Sequence, residues 1–152
     1  MKASPSKRPG FTDVSATRRR NMAAIRGKNT KPELMVRRCL HRLGYRYRLH
    51  DRRLPGSPDL VFHGRQAVVF VHGCFFHRHD NSACKNAVLP KTRREWWEQK
   101  LAQNQYRDRA ALAALQARGW RCAVVWECEI RSDLASVLAR LCHFLGPRNN
   151  NV

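Results

Sequence analysis

Acidic residues are scarce: eleven Asp and Glu stand against thirty Lys and Arg in 152 residues, a formal charge of +19 at neutral pH. That imbalance points to a polyanionic partner. Nucleic acid comes first, because neutralising its phosphates releases counterions. No stretch is long and apolar enough to span a bilayer, which argues against a membrane protein. The first ten residues carry charges, prolines and serines, and no apolar run follows them, so no signal peptide is read and a reducing cytoplasm is expected. In that compartment the six cysteines suit metal ligands or buried thiols better than disulfides. Neither an internal repeat nor a linker divides the chain. With 43% hydrophobic residues, its length suits one domain with a sizeable core.

Residues 1–14 are basic and aperiodic and are expected to form a disordered arm. Ser15 can cap a short helix over 16–26, arginine-rich on one side, with Met22 and Ile25 one turn apart. It suits a surface helix or one lying along DNA equally well. Thr30-x-x-Glu33 is a capping box opening a second helix, with Val36, Cys39, Leu40 and Leu43 on one face and Gly44 at its end. Tyr45, Tyr47 and Leu49 alternate with arginines as in a strand. After the Leu54–Pro58 turn, residues 59–62 form a short strand, and 66–71 are apolar enough for a central strand covered on both faces. A long helical pattern runs over 93–118, a buried strand over 120–126, and Ser132 is expected to cap a last helix through Leu145. Strand, helix and strand in this order predict a right-handed parallel crossover. The expected fold is α/β: a small mixed central sheet flanked by helices, over residues 15–147, with a loose tail at 148–152.

Cys74, His79 and Cys84 are spaced C-x₄-H-x₄-C in the aperiodic segment after the central strand. Cys128 follows the 120–126 strand. If the two strands are parallel neighbours, their ends meet at one sheet edge and Cys128 completes a Cys₃His tetrahedron. Such a set suits structural Zn²⁺ and would order a long irregular loop. Cys39, Cys122 and Cys142 are read as buried inert thiols.

Asp59 stands after Pro58 at a strand start, where its carboxylate can face a cleft and hold Mg²⁺. The Glu-x-Lys of many nucleases is missing from 66–71. His72 and His77 are there instead, and a neutral imidazole can take a proton from an attacking water. Glu33 can orient a histidine or a water, or serve only as the capping-box partner.

The series Leu54-Pro55-Gly56-x-Pro58-Asp59, His72-Gly73-Cys74-Phe75-Phe76-His77-x-His79, Trp97, Lys100, Asn104, Arg107-Asp108, Gly119-Trp120 and Val125-Trp126-Glu127-Cys128 resembles the very-short-patch repair (Vsr) DNA mismatch endonucleases. Asn21-Met22-x-x-Ile25 and Thr30-x-x-Glu33 match as well, so the likeness spans roughly 15–131. It implies a restriction-endonuclease-like fold with structural zinc, and Mg²⁺-dependent nicking 5′ to the thymine of a T·G mismatch left by deamination of 5-methylcytosine. It also implies that Asp59 is the main Mg²⁺ ligand, joined by the Val71 backbone carbonyl. His77 is then the general base, His72 supports the scissile phosphate, and Glu33 lies near the site. Cys74, His79, Cys84 and Cys128 hold zinc. Phe75, Phe76 and Trp97 wedge beside the mismatch from the major groove, Met22 and Ile25 enter from the other side, and Lys100 and Asn104 read the bases. Three positions depart from the pattern: Val71 replaces a threonine, Phe76 replaces a tryptophan, and Cys84 lies further along its loop.

The partner expected on this basis is double-stranded DNA with a T·G mismatch, with downstream repair proteins after the nick. A monomer suffices to cut one strand. The competing readings are a zinc-braced DNA- or RNA-binding module without catalysis, and an endonuclease with another target.

Overall fold

The computed structural model describes residues 27–80 and 84–148. The expected N-terminal arm and the 16–26 helix, with Met22 and Ile25, lie outside the described residues, as do positions 149–152.

Helix α1 (Lys31–Arg42) opens where Thr30 Oγ1 accepts the Glu33 amide at 3.4 Å. The return arm of the capping box is displaced by one residue, since Glu33 Oε2 accepts from the Asn29 amide at 2.8 Å. Its other oxygen turns inward, and Glu33 is only 1% exposed. Val36 and Leu40 are fully buried, whereas Leu43, expected on the same face, is exposed. From Tyr45 to Leu49 only Arg48–Leu49 (β1) pairs as strand. The alternation breaks because Tyr45 and Tyr47 turn edge-on to Phe62 and leave Leu49 in solvent.

Strands β2 (Leu60–Phe62) and β3 (Ala67–His72) are antiparallel across the short His63–Arg65 turn. Helix α2 (Arg94–Ala117) then returns the chain to β4 (Arg121–Trp126), which pairs parallel to β3 with His72 opposite Trp126. The sheet is mixed, in the order β1-β2-β3-β4, as the crossover predicted. Period-2 alternation along β2 and β3 feeds two cores. Leu60, Phe62 and Val69 pack with α1 and the last helix on one face. Val61, Val68 and Phe70 pack with Leu112 and Leu115 of α2 on the other. The β4 strand was expected to be buried, but it is an edge strand in which Val125 alone is fully covered.

Beyond β4, Cys128 follows the strand as expected, and one cap is corrected. A six-residue helix α3 (Glu127–Ser132) follows the strand directly and places Cys128 in its first turn. The last helix, α4 (Leu134–Leu145), is capped by Asp133, whose side chain accepts the Ser136 amide at 3.1 Å; Ser132 belongs to α3. Aspartate is as good a cap as serine, so residue preference did not separate the neighbours. Cys39, Cys122 and Cys142 are free thiols, but they are half-covered rather than fully buried. Among the described residues no helix is long and apolar enough to cross a membrane.

Candidate active site

The carboxyl end of β3, the turn before β2 and the middle of α2 enclose a cleft of about 330 Å³. Gly56 sets the approach. Its φ is +75°, and a Cβ there would sit 2.7 Å from the Ala111 Cβ, so only glycine lets this turn close on α2. The turn delivers Asp59 to the cleft wall, where Oδ2 accepts the Val71 amide at 2.7 Å. Oδ1 lies 3.8 Å from His50 Nε2. His50 Nε2 is also 2.6 Å from Glu33 Oε1, which Arg37 approaches at 3.3 Å from its own helix. Burial, reinforced by the Glu33 charge, pushes the Asp59 carboxyl up to about 6, against the Val71 hydrogen bond. Two acids and an imidazole thus bring ligand atoms within 4.8 Å of one another. The repulsion between the acids is what a divalent cation relieves, so the donor set fits one.

Across the cleft, His72 and His77 stack with ring centroids 3.9 Å apart and planes 2° from parallel. Asp108, from α2, holds His77 Nδ1 at 2.7 Å. Burial and the adjacent His77 bring the His72 imidazole down to about 4, so it is neutral at physiological pH. The two imidazoles and Asp108 also bring donors close together. Parallel stacked rings direct their lone pairs along separate planes, however, and do not converge on one ion as they stand. Their geometry suits proton handling better.

The loop after β3 is pinned from behind. Cys74, His79, Cys84 and Cys128 bring their donor atoms within 4.8 Å of one another, in the combination expected from the spacing. The Cys128 amide points at Cys74 Sγ (3.4 Å), and Cys128 Sγ lies 3.4 Å from His79 Nδ1. Burial pushes the Cys74 thiol up to about 12. A thiolate there needs a cation beside it, so three thiols and an imidazole fit a soft metal ion. The Trp126 ring stacks on His79 at 4.1 Å and meets His72 edge-on at 5.1 Å, joining this cluster to the cleft.

The expected wedge residues divide. Phe75 and Phe76 are half-exposed, their rings 5.0 Å apart. Trp97 is only 7% exposed and packs edge-on behind Phe75. Lys100 is half-covered on the same helix. The Asn104 amide donates to the Phe76 carbonyl at 3.0 Å, bracing the loop. Glu33, Asp59, Val71, His72 and His77 lie in or against the cleft. Sequence reasoning assigned no role to two residues found there, His50 and Asp108. Asp108 lies 31 positions from His77 and His50 lies 17 from Glu33, so no local spacing links them.

Acids, imidazoles and basic side chains (Lys28 and Arg107) around one cleft of a chain carrying +19 suit a class: enzymes that hydrolyse a nucleic-acid backbone. Comparison with known proteins narrows the class to a family. The family described as "DNA mismatch endonuclease Vsr" matches residues 12–83. A type II nicking enzyme of Xanthomonas oryzae, V.XorIIP, is 52% identical over 135 residues, covering 88% of this chain and 96% of that protein. The DNA mismatch endonuclease Vsr of Escherichia coli is 41% identical over 116 residues, covering 76% and 72%. V.NmeAIP, a type II nicking enzyme of Neisseria meningitidis, is 39% identical over 124 residues, covering 80% and 86%. The chain belongs to the Vsr family of DNA mismatch endonucleases.

Proposed function

We propose that this endonuclease nicks one strand of duplex DNA 5′ to the thymine of a T·G mismatch, using Mg²⁺ at Asp59 and the His77–Asp108 pair. One observation carries the reading: a half-buried carboxylate faces a carboxylate-held imidazole across a single cleft. The family and its nicking relatives supply the substrate class.

A divalent cation beside Asp59 would supply charge neutralisation at the scissile phosphate. Asp59 Oδ1, Glu33 Oε1 and the Val71 carbonyl are the groups to hold it. Asp108 fixes His77 Nδ1 as the protonated nitrogen, which leaves Nε2 to accept a proton from the attacking water. The neutral His72 offers a ring N–H to the phosphate oxygen. Zn²⁺ held by Cys74, His79, Cys84 and Cys128 would order the loop that carries His77, just beyond His72 at the end of β3. The mixed sheet with its edge-on cleft is read as restriction-endonuclease-like.

Mismatch preference follows from the loop tip. Phe75 and Phe76 are the rings free enough to enter a base stack, with Trp97 as their backing. Unstacking costs a few kcal/mol and is cheapest where pairing is already weak. Met22 and Ile25 complete the wedge from the other side. Lys100 reads the mismatched bases, and Asn104 joins it after releasing the Phe76 carbonyl. One active site per chain makes a monomer sufficient.

The test is a nicking assay on end-labelled duplexes differing at one base pair. The T·G duplex should be cut in Mg²⁺ on the thymine strand, the paired control spared, and His77→Ala should bind but not cut. Equal cutting of the paired duplex removes the mismatch reading, and full cutting by His77→Ala removes the base.

A further inference from the structure

The scheme above leaves His50 without a task, although it sits at the centre of the acidic wall. We infer that His50 is the third protein ligand of the cation beside Asp59, and that its nitrogen biases that site toward Mn²⁺ over Mg²⁺. The inference rests on the reading that Asp59 and Glu33 hold a divalent cation.

Each carboxylate in the wall has one oxygen tied to a backbone amide and turns the other toward His50. Asp59 Oδ2 takes the Val71 amide, and Glu33 Oε2 takes the Asn29 amide. The remaining oxygens, Asp59 Oδ1 and Glu33 Oε1, both face His50 Nε2, at 3.8 and 2.6 Å. Donors adjacent on an octahedral cation with ~2.1 Å bonds lie ~3 Å apart, so the observed separations bracket that value. Small side-chain rotations would place all three around one ion.

His50 is also held there by the backbone. Its amide donates to the Asp59 carbonyl at 3.2 Å, which locks the two residues opposite one another at the end of the β1–β2 pair. Its φ is +46°, a left-handed conformation that a residue with a Cβ adopts at a cost. Among the described residues Arg37, at 3.3 Å, is the one Lys or Arg on Glu33 Oε1, and it approaches from its own helix α1.

The donor set is then one imidazole nitrogen and two carboxylate oxygens. Mg²⁺ favours oxygen and keeps its waters, whereas Mn²⁺, although the weakest binder of the first transition series, is softer than Mg²⁺ and accepts an imidazole nitrogen more readily. An all-oxygen wall would discriminate less between the two.

The experiment uses the full chain with its thiol cluster zinc-filled. Free Mn²⁺ is followed by electron paramagnetic resonance, and Mg²⁺ binding is measured by competition, in wild type, His50→Gln and Asp59→Asn. We expect His50→Gln to weaken Mn²⁺ binding about tenfold relative to Mg²⁺. We also expect pulsed spectra of Mn²⁺ on the wild type to show coupling to an imidazole nitrogen that is lost in the variant. An unchanged Mn²⁺/Mg²⁺ affinity ratio in folded His50→Gln, or no nitrogen coupling in the wild type, overturns the inference and leaves His50 as a hydrogen-bonded brace. Undiminished binding of both ions by Asp59→Asn instead overturns the underlying cation reading.

Discussion

Replacing Asp59 by asparagine should make the metal-free protein more stable while ending its chemistry. Burial raises the Asp59 carboxyl from its ordinary 3.8 to about 6. The folded state therefore holds this proton more tightly than the unfolded chain does, and ionising Asp59 opposes folding. The cost is absent below the unfolded value, grows as pH rises toward about 6, and is complete above it. A rise of this size amounts to roughly 3 kcal/mol at ~1.4 kcal/mol per tenfold change in proton affinity. Asparagine carries no charge, and its carbonyl can still accept the Val71 amide, so little is lost in exchange. The variant should gain on the order of 2–3 kcal/mol at neutral pH and almost nothing near pH ~4. Urea unfolding of both proteins at the two pH values, followed by tryptophan fluorescence, measures the difference. A variant that is less stable at neutral pH, or whose gain does not change with pH, would refute the reasoning. Added Mg²⁺ should reverse the order, since it stabilises only the protein that binds it.

Asp108→Asn should lower the nicking rate at saturating DNA roughly 10²-fold with little change in gel-shift affinity, because His77 loses the partner that sets its tautomer; an unchanged rate would show that the pairing is idle. Cys128→Ser, or removal of metal with a strong chelator, should cost one equivalent of zinc by native mass spectrometry and lower the melting temperature, since a closed metal site contributes directly to folding. A metal-free protein with the same melting curve would count against the cluster. Trp97→Ala should cost about 3–5 kcal/mol in urea unfolding, as expected for a buried ring. Phe75→Ala should cost less and instead narrow the rate difference between T·G and paired duplexes, and a preserved difference would move the wedge elsewhere.

Helices α1, α2 and α4 and strands β2 to β4 were legible because each has its own period or cap. The Cys₃His cluster was legible because a parallel β3–β4 pair brings Val71 level with Val125, which sends Cys74 and Cys128 off the same sheet edge. Local signals failed where two residues of equal propensity adjoined, as with Ser132 and Asp133. They failed again where packing overrode alternation, as at Leu49, left outside when the tyrosines turned toward Phe62.

From the sequence by itself, charge pointed to a nucleic acid, the run from His72 to His79 to a DNA endonuclease family through its resemblance, and thiol spacing to a Cys₃His cluster able to hold a metal ion. Only the tertiary structure decided which oxygen of each acid faces His50, that Asp108 holds His77, and that the histidine Glu33 contacts is His50, which stands between Glu33 and Asp59. Those partners come from separate elements, and contact between them depends on how helices and turns pack against the sheet, which no spacing along the chain encodes.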